Sequence, residues 1–171
     1  ITLGTGFGAG IVINQNLLIG DNSIAAEVWL TSNRYSKSSN SEDLVSTRSV
    51  QRIYAEKAGI EYPNNLMPKD IYEIAIGQKE GNKTAAFNSY YETGKALGDT
   101  IANLFTLIDG IIVIGGGITG AKDLYMPSVI NELNGQFNPS DNDKLPRLVQ
   151  KIFNLDEEAD IAIADARYGF I

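Results

Sequence analysis

The chain has 171 residues, 43% of them hydrophobic, which is enough for one domain with its own core. It contains neither Cys nor His, so disulfides, Cys/His zinc sites and an imidazole acid or base are excluded within it. The net charge is −7 without a Lys/Arg cluster, and no apolar run approaches the roughly 20 residues that span a bilayer. We therefore expect neither nucleic acid nor a membrane as a partner of this segment.

The predicted elements begin with β structure over residues 1–20, in which two apolar runs flank a polar turn at 14–16. Residues 24–30 are apolar except for Glu27. The Ser/Asn-rich stretch 31–43 has few apolar residues, and we expect it to be an exposed loop.

Three helices are predicted next, because apolar residues recur at helical spacing between capping and breaking residues. They run from 41–43 to Gly59, from Pro68 to 77–81, and from Asn82 or Thr84 to Asp109.

The last third of the chain is predicted to contain a buried strand and a further helix. Residues 111–114 are four consecutive apolar residues, typical of a strand covered on both faces. The other predicted elements are a helix over 121–133 with a kink or a later start at Pro127, a polar loop over 136–146, an edge strand over 148–153, and a tail over 161–171 that is either helix or strand. We assign residues 1–171 to a single α/β domain.

Two glycine clusters lie far apart in the sequence, LGTGFGAG at residues 3–10 and GGGITG at 115–120. Glycine allows backbone N–H groups to approach an anion closely. The first cluster partly matches a dinucleotide fingerprint through Gly4, Gly6 and Ala9, but a strand follows it where the fingerprint requires a helix. The second cluster has the strand-to-helix context but lacks a second strand ending in Asp or Glu about 20 residues on. Phosphate binding and a tight turn without a ligand both remain open for each cluster.

Two carboxylates are candidates for binding a polyol. Glu27 is the one charge within 24–30, and a buried carboxylate there needs a partner such as a sugar hydroxyl. An isolated Glu also commonly points into solvent. Glu42 lies at a predicted helix start, where the helix dipole alone favours an acid. Trp29 is a candidate either for packing on a sugar face or for the core.

Taken in order, these segments resemble the large domain of the ROK-family sugar kinases (repressor, open reading frame, kinase), the glucokinase-like proteins. Five segments carry the resemblance. The first two are the glycine-rich segment 3–13 and Ala26-Glu27. The other three are residues 42–46, which are similar to the family's EAYVSG, residues 81–85, which are similar to its GDxxA, and residues 112–118, which are similar to its adenosine segment IVIGGGV.

The resemblance implies an actin-like, ribonuclease H-like ATPase fold, with a mixed sheet flanked by helices. It implies transfer of the γ-phosphate of ATP to a hydroxyl of a hexose or amino-hexose, with ATP and Mg²⁺ as cofactors. We expect a cytoplasmic homodimer. The implied site residues are Gly4, Thr5 and Gly6 for phosphate, Gly115, Gly116 and Gly117 for adenosine, and Glu27 and Glu42 for the sugar.

The chain departs from the family pattern in three places. The family's EIGH reads EVWL at residues 27–30, so Leu30 replaces the His that contacts zinc and sugar. The Cys-rich zinc loop is replaced by the polar stretch 31–41, and we expect no zinc. The smaller N-terminal domain with the catalytic Asp is absent, so we expect a fragment that is inactive alone.

Two other functions stay open. One is a sugar-sensing transcriptional regulator of the same family, which binds but does not catalyse. The other is a nicotinamide-dependent enzyme, which would bind NAD saturably without competition from ATP.

Overall fold

Five α-helices, two 3₁₀ turns and eight short strands make up the described part of the chain, which comprises residues 1–139 and 143–161 of this computed structural model. The strands are β1 (Thr2–Leu3), β2 (Phe7–Gly8), β3 (Val12–Ile13), β4 (Asn16–Leu17), β5 (Ser32–Asn33), β6 (Ser36–Asn40), β7 (Gln136–Phe137) and β8 (Leu145–Pro146). The helices are α1 (Ser41–Leu44), α2 (Thr47–Ala58), α3 (Pro68–Ala75), α4 (Lys83–Ile108) and α5 (Lys122–Leu133), and the 3₁₀ turns are η1 (Val28–Leu30) and η2 (Thr119–Ala121).

The strands pair in sequence order as four antiparallel ribbons, β1–β2, β3–β4, β5–β6 and β7–β8. One parallel bridge, between Thr2 and Gly115, joins distant parts of the chain. The fold is therefore mixed α/β as predicted, but across the described residues the ribbons are not joined into one sheet. Residues 111–114, predicted as a strand, are not assigned as one, and only Gly115, which follows them, is bridged.

Helix α4 is the centre of the hydrophobic core. It is 26 residues long and begins at Asn82, whose side-chain oxygen accepts a hydrogen bond from the Ala85 N–H at 3.0 Å. Its buried side chains, such as Tyr90, Leu97 and Ile101, share one core cluster with residues of α2, α3, α5 and the β1–β2 ribbon. No helix within the described residues is long and apolar enough to cross a membrane.

The predicted helix boundaries are mostly confirmed. Helix α2 ends at Gly59, which adopts a left-handed conformation with φ of 68°, and α3 begins on Pro68. The helix predicted from 41–43 to Gly59 is in fact two helices, because Ser46 caps α2 by accepting a hydrogen bond from the Ser49 N–H. Pro127 lies inside α5, which is assigned as one helix and does not start later.

Three predictions about segments outside the long helices are wrong. Residues 31–43 are not a loop, since they contain the β5–β6 hairpin followed by α1. Residues 148–153 contain no strand. The loop predicted over 136–146 contains the β7–β8 pair, and the tail after Ile161 lies outside the described residues.

Helices α4 and α5 approach each other closely at two glycines of α4. A Cβ at Gly98 would lie 2.6 Å from the Glu132 Cβ, and a Cβ at Gly94 would overlap the Tyr125 carbonyl oxygen and the Ser128 hydroxyl. Side chains at these two positions would therefore force the helices apart.

We predict that Gly94→Ala destabilises the chain by about 1–3 kcal/mol, because the added methyl meets the backbone of α5. Helix propensity alone predicts the opposite effect, an increase of about 1 kcal/mol in the free energy of unfolding. Urea denaturation of the 171-residue chain measures the difference. Gly110→Ala, with no atom within 4 Å of the added Cβ, is the control. A stabilising Gly94→Ala would contradict the packing described here.

Candidate functional site

The two glycine clusters lie side by side, although most of the chain separates them in sequence. The Leu3 N–H donates to the Gly115 carbonyl at 2.8 Å, and the Gly115 N–H donates to the Ile1 carbonyl at 2.9 Å. A third hydrogen bond runs from the Ile118 N–H to the Leu3 carbonyl at 3.2 Å. The turn at Gly4–Gly6, between β1 and β2, therefore begins beside the turn at 115–117.

Gly116 is the residue that makes this contact sterically feasible. Its φ is 109°, a conformation that residues with a side chain rarely adopt. A Cβ there would overlap the Leu3 carbonyl oxygen and lie 2.7 Å from the Leu3 nitrogen. Gly115 and Gly117 differ, because a Cβ at either would meet no atom within 4 Å.

Both turns present backbone donors to solvent. Thr5, Gly6, Gly116 and Gly117 are exposed. Over the ranges 1–139 and 143–161, no protein acceptor takes a hydrogen bond from the N–H of any of these four residues. Adjacent unpaired N–H groups in glycine turns form an anion-binding surface. The arrangement can thus bind phosphate oxygens from two sides.

Glu42 lies directly against the first turn. Its Oε2 accepts a hydrogen bond from the Phe7 N–H at 3.1 Å, and a Cβ at Gly6 would lie 2.8 Å from this oxygen. Its Oε1 pairs with the Arg48 guanidinium at 3.0 Å. The start of α2 is joined to the same turn, because the Thr47 N–H donates to the Gly4 carbonyl at 2.8 Å. The carboxylate is therefore fixed at the edge of the candidate phosphate site.

Glu27 is exposed and precedes η1. Its carboxylate accepts a hydrogen bond from the Trp29 indole N–H, so the half-buried Trp29 and Glu27 orient each other. Turn η1 packs against β2 and α1, the elements adjoining Gly6 and carrying Glu42. The structure thus brings Gly4–Gly6, 115–117 and Glu42 together by direct contacts, and it connects Glu27 to them through η1.

The sequence analysis did not identify Arg48 or the Phe7 N–H as parts of the site. The helix break at Ser46 places Arg48 on the first turn of α2, within reach of Glu42. Ser is one of the preferred N-cap residues, so Ser46 is a candidate helix start in the sequence. That signal would have separated α1 from α2 and placed Arg48 next to Glu42.

Zinc does not fit the segment where the family carries its zinc loop. Structural zinc is typically held by Cys and His, and the chain contains neither. Within the residues that the structure describes, no group of three or more Asp or Glu side chains converges as a metal site either.

A cavity of about 780 Å³ lies between α4, α5 and the segments 109–114 and 150–156. Its lining is mostly apolar, and it adjoins the second glycine cluster through Ile114 and Thr119. The Gly4–Gly6 turn does not line it. The cavity is therefore separate from the candidate phosphate site.

Comparison with known proteins identifies relatives of this chain. Residues 1–152 match the model of the ROK family. The glucokinase of Halalkalibacterium halodurans is 29% identical over 148 residues, which cover 75% of this chain and 44% of that protein. The crystal structure of a glucokinase from Parabacteroides distasonis is 41% identical with a TM-score of 0.85, covering 97% of this chain and 44% of that chain.

A third relative, a ROK family glucokinase from Streptomyces griseus, was solved in complex with glucose and AMPPNP. It is 22% identical with a TM-score of 0.58, covering 78% of this chain and 50% of that chain. The chain thus spans 44% of the length of each of the first two glucokinases. Its α/β fold is the fold of these kinases over the shared region.

We predict that Gly116→Ala destabilises the chain by about 1–3 kcal/mol, because a left-handed backbone and the Leu3 backbone both oppose the methyl group. Gly117→Ala is the matched control in the same turn, and we expect it to change stability by less than about 0.5 kcal/mol. Urea denaturation of both variants measures this. Equal effects of the two substitutions would show that Gly116 has no special role at the contact.

Proposed function

The chain belongs to the ROK family, and we propose that it forms the ATP- and sugar-binding lobe of a carbohydrate kinase with an actin-like ATPase fold. The reaction is transfer of the γ-phosphate of ATP to a hydroxyl of a hexose or amino-hexose. The observation that carries the proposal is the contact between the two glycine turns, with the Glu42 carboxylate beside Gly6. In the proposed site Gly4, Thr5 and Gly6 bind phosphate, Gly115, Gly116 and Gly117 lie beside the adenosine, and Glu27 and Glu42 bind sugar hydroxyls.

Phosphoryl transfer depends on positioning and charge stabilisation more than on covalent chemistry by the protein. In this proposal the N–H groups of Thr5 and Gly6 bind the phosphates from the first turn, and the turn at 115–117 lies on the adenosine side of the nucleotide. Backbone donors need no rearrangement during the reaction, because the hydrogen bonds that join Gly115 to Ile1 and Leu3 already fix the turns. Mg²⁺ bound to ATP would neutralise part of the phosphate charge.

Glu42 connects the phosphate side of the proposed site to the sugar side. An ionised carboxylate offers about four acceptor positions, and the Phe7 N–H and Arg48 occupy two of them. The remaining positions can accept sugar hydroxyls. Because Phe7 directly follows the phosphate-binding turn, a sugar held by Glu42 is placed at a fixed distance from that turn.

We take the general base to lie outside these 171 residues, in the part of the protein that the chain does not span. Glu27 and Glu42 then bind and orient the sugar, and they do not remove its proton. The whole enzyme is proposed to be a cytoplasmic homodimer with a second lobe closing over the sugar.

We predict that the full-length protein releases ADP from Mg-ATP with at least one sugar from a panel of hexoses and amino-hexoses. Glu42→Gln removes a charged acceptor, whose hydrogen bonds are worth about 1.5–3 kcal/mol, so the sugar KM should rise by about tenfold or more. The KM for ATP should stay within about twofold, because the glycine turns remain intact. Glu56→Gln, an exposed acid-to-amide change in α2, is the control.

The outcomes separate the candidate functions. Sugar binding without ADP release from any sugar would favour a sugar-sensing regulator. A protein that binds neither sugar nor ATP would contradict the proposal. An unchanged sugar KM in Glu42→Gln would remove Glu42 from the site.

A further inference from the structure

Four charged side chains form a cluster where the β5–β6 hairpin meets α4 and α5. Asp99 of α4 is 2% exposed, Glu132 of α5 is 6% exposed, and the side chain of Arg147, directly after β8, is 8% exposed. The fourth member, Arg34, lies at the tip of the hairpin and is 40% exposed. These four residues are called the ion cluster below.

The charges of the ion cluster are paired across four segments of the chain. The Arg147 guanidinium lies 2.8 Å from Asp99 Oδ1, and the Arg34 guanidinium lies 2.5 Å from Glu132 Oε1. The backbone N–H of Arg34 also donates to Asp99 Oδ2 at 3.0 Å. Two acids thus face two guanidinium groups. Buried charges are tolerated when they are paired in this way, and removal of one partner is strongly unfavourable.

The residues on both sides of Arg34 hold the hairpin tip as well. The Asn33 side chain is buried, and its Nδ2 donates to the Ala96 carbonyl at 2.8 Å. The Tyr35 hydroxyl donates to Glu132 Oε2 at 2.5 Å. Partial burial and this hydrogen bond raise the pKa of the Tyr35 hydroxyl. Three successive residues therefore fasten the tip to α4 and α5.

The base of the hairpin is fastened to α4 one residue before Glu42. Ser41 is fully buried, and its N–H donates to the Thr31 carbonyl at 2.9 Å. The Thr100 hydroxyl donates to the Ser41 hydroxyl at 2.9 Å. Thr100 follows Asp99 in α4, so one turn of that helix holds both ends of the hairpin. Glu42 directly follows this attachment in the sequence.

We propose that the ion cluster positions Glu42 by locking the β5–β6 hairpin onto α4 and α5, and that it does so without a metal. Arg34, Asp99, Glu132 and Arg147 are positioning residues, because within the described residues no hydrogen bond or ion pair joins them to the glycine turns. The inference that the position of Glu42 affects sugar affinity rests on the proposed function. The inference that the ion cluster holds the hairpin on α4 and α5 does not rest on it.

The test is Arg34→Met in the full-length protein, because the partly exposed Arg34 can be replaced without emptying the core. We expect amide hydrogen exchange in residues 32–42 to accelerate by about tenfold or more, since the exchange rate reports local opening. The sugar KM should rise by about fivefold or more while the ATP KM stays within about twofold. Lys37→Met, an exposed cation in the same hairpin, is the matched control and should change each quantity by less than about twofold.

Two further arms sharpen the test. Arg34→Lys keeps the charge, and it should restore part of the exchange protection but not all, because Lys lacks the planar fork of Arg. Treating the unmodified protein with EDTA should leave exchange in residues 32–42 unchanged. Accelerated exchange after EDTA would show that a metal locks the hairpin and would overturn the proposal.

The remaining outcomes also decide the proposal. Unchanged exchange in Arg34→Met would show that the ion cluster does not hold the hairpin. Faster exchange with an unchanged sugar KM would show that the hairpin does not position Glu42. If the unmodified protein turns over no sugar, the proposed function fails. Exchange in residues 41–44 then decides whether the ion cluster holds α1, because that measurement needs no substrate.

Discussion

The backbone contact between Leu3 and Gly115 is the constraint on which the candidate site depends. Two hydrogen bonds, at 2.8 and 3.2 Å, join Leu3 to the second glycine cluster, and every proposed nucleotide contact lies within three residues of this joint. This contact consists of main-chain atoms, so few positions need a particular side chain. The one position that must lack a side chain is Gly116. This explains why the site is visible in the sequence as glycines and not as charged residues.

The Glu42 carboxylate is the second constraint, because it lies against the Gly4–Gly6 turn, which is proposed to bind phosphate, and is itself proposed to bind the sugar. A Cβ at Gly6 would lie 2.8 Å from Glu42 Oε2, so a side chain there would displace the end of the Glu42 side chain. Arg48 balances the negative charge beside a turn that is proposed to bind phosphate. Without that partner, a carboxylate next to the phosphates would repel them. The site is thus a set of compensating features and not a simple collection of ligands.

Sequence signals for helix starts and ends predicted most of the helices, because a capping residue such as Asn82 or a terminating residue such as Gly59 acts within one helical turn. They did not predict the hairpin in residues 31–43, whose Ser/Asn-rich sequence is typical of a loop. Its partners, Asp99 and Glu132, are distant in sequence and could not be inferred from its composition. The juxtaposition of the glycine clusters likewise came from the family resemblance and not from periodicity, because spacing along a chain does not determine contacts across a fold.

The ion cluster and a zinc loop differ in the stage of folding at which each can order a segment of the chain. A zinc loop gathers ligands that are close in sequence, so it can order a segment before the rest of a domain is in place. The cluster instead needs α4, α5 and Arg147 to be assembled, since Asp99 and Glu132 lie on different helices. Until then its charges are solvated and gain little by pairing. If the ion cluster locks the hairpin as proposed, the hairpin and Glu42 become ordered only as the helices pack, and formation of the proposed sugar site is coupled to the packing of α4 and α5.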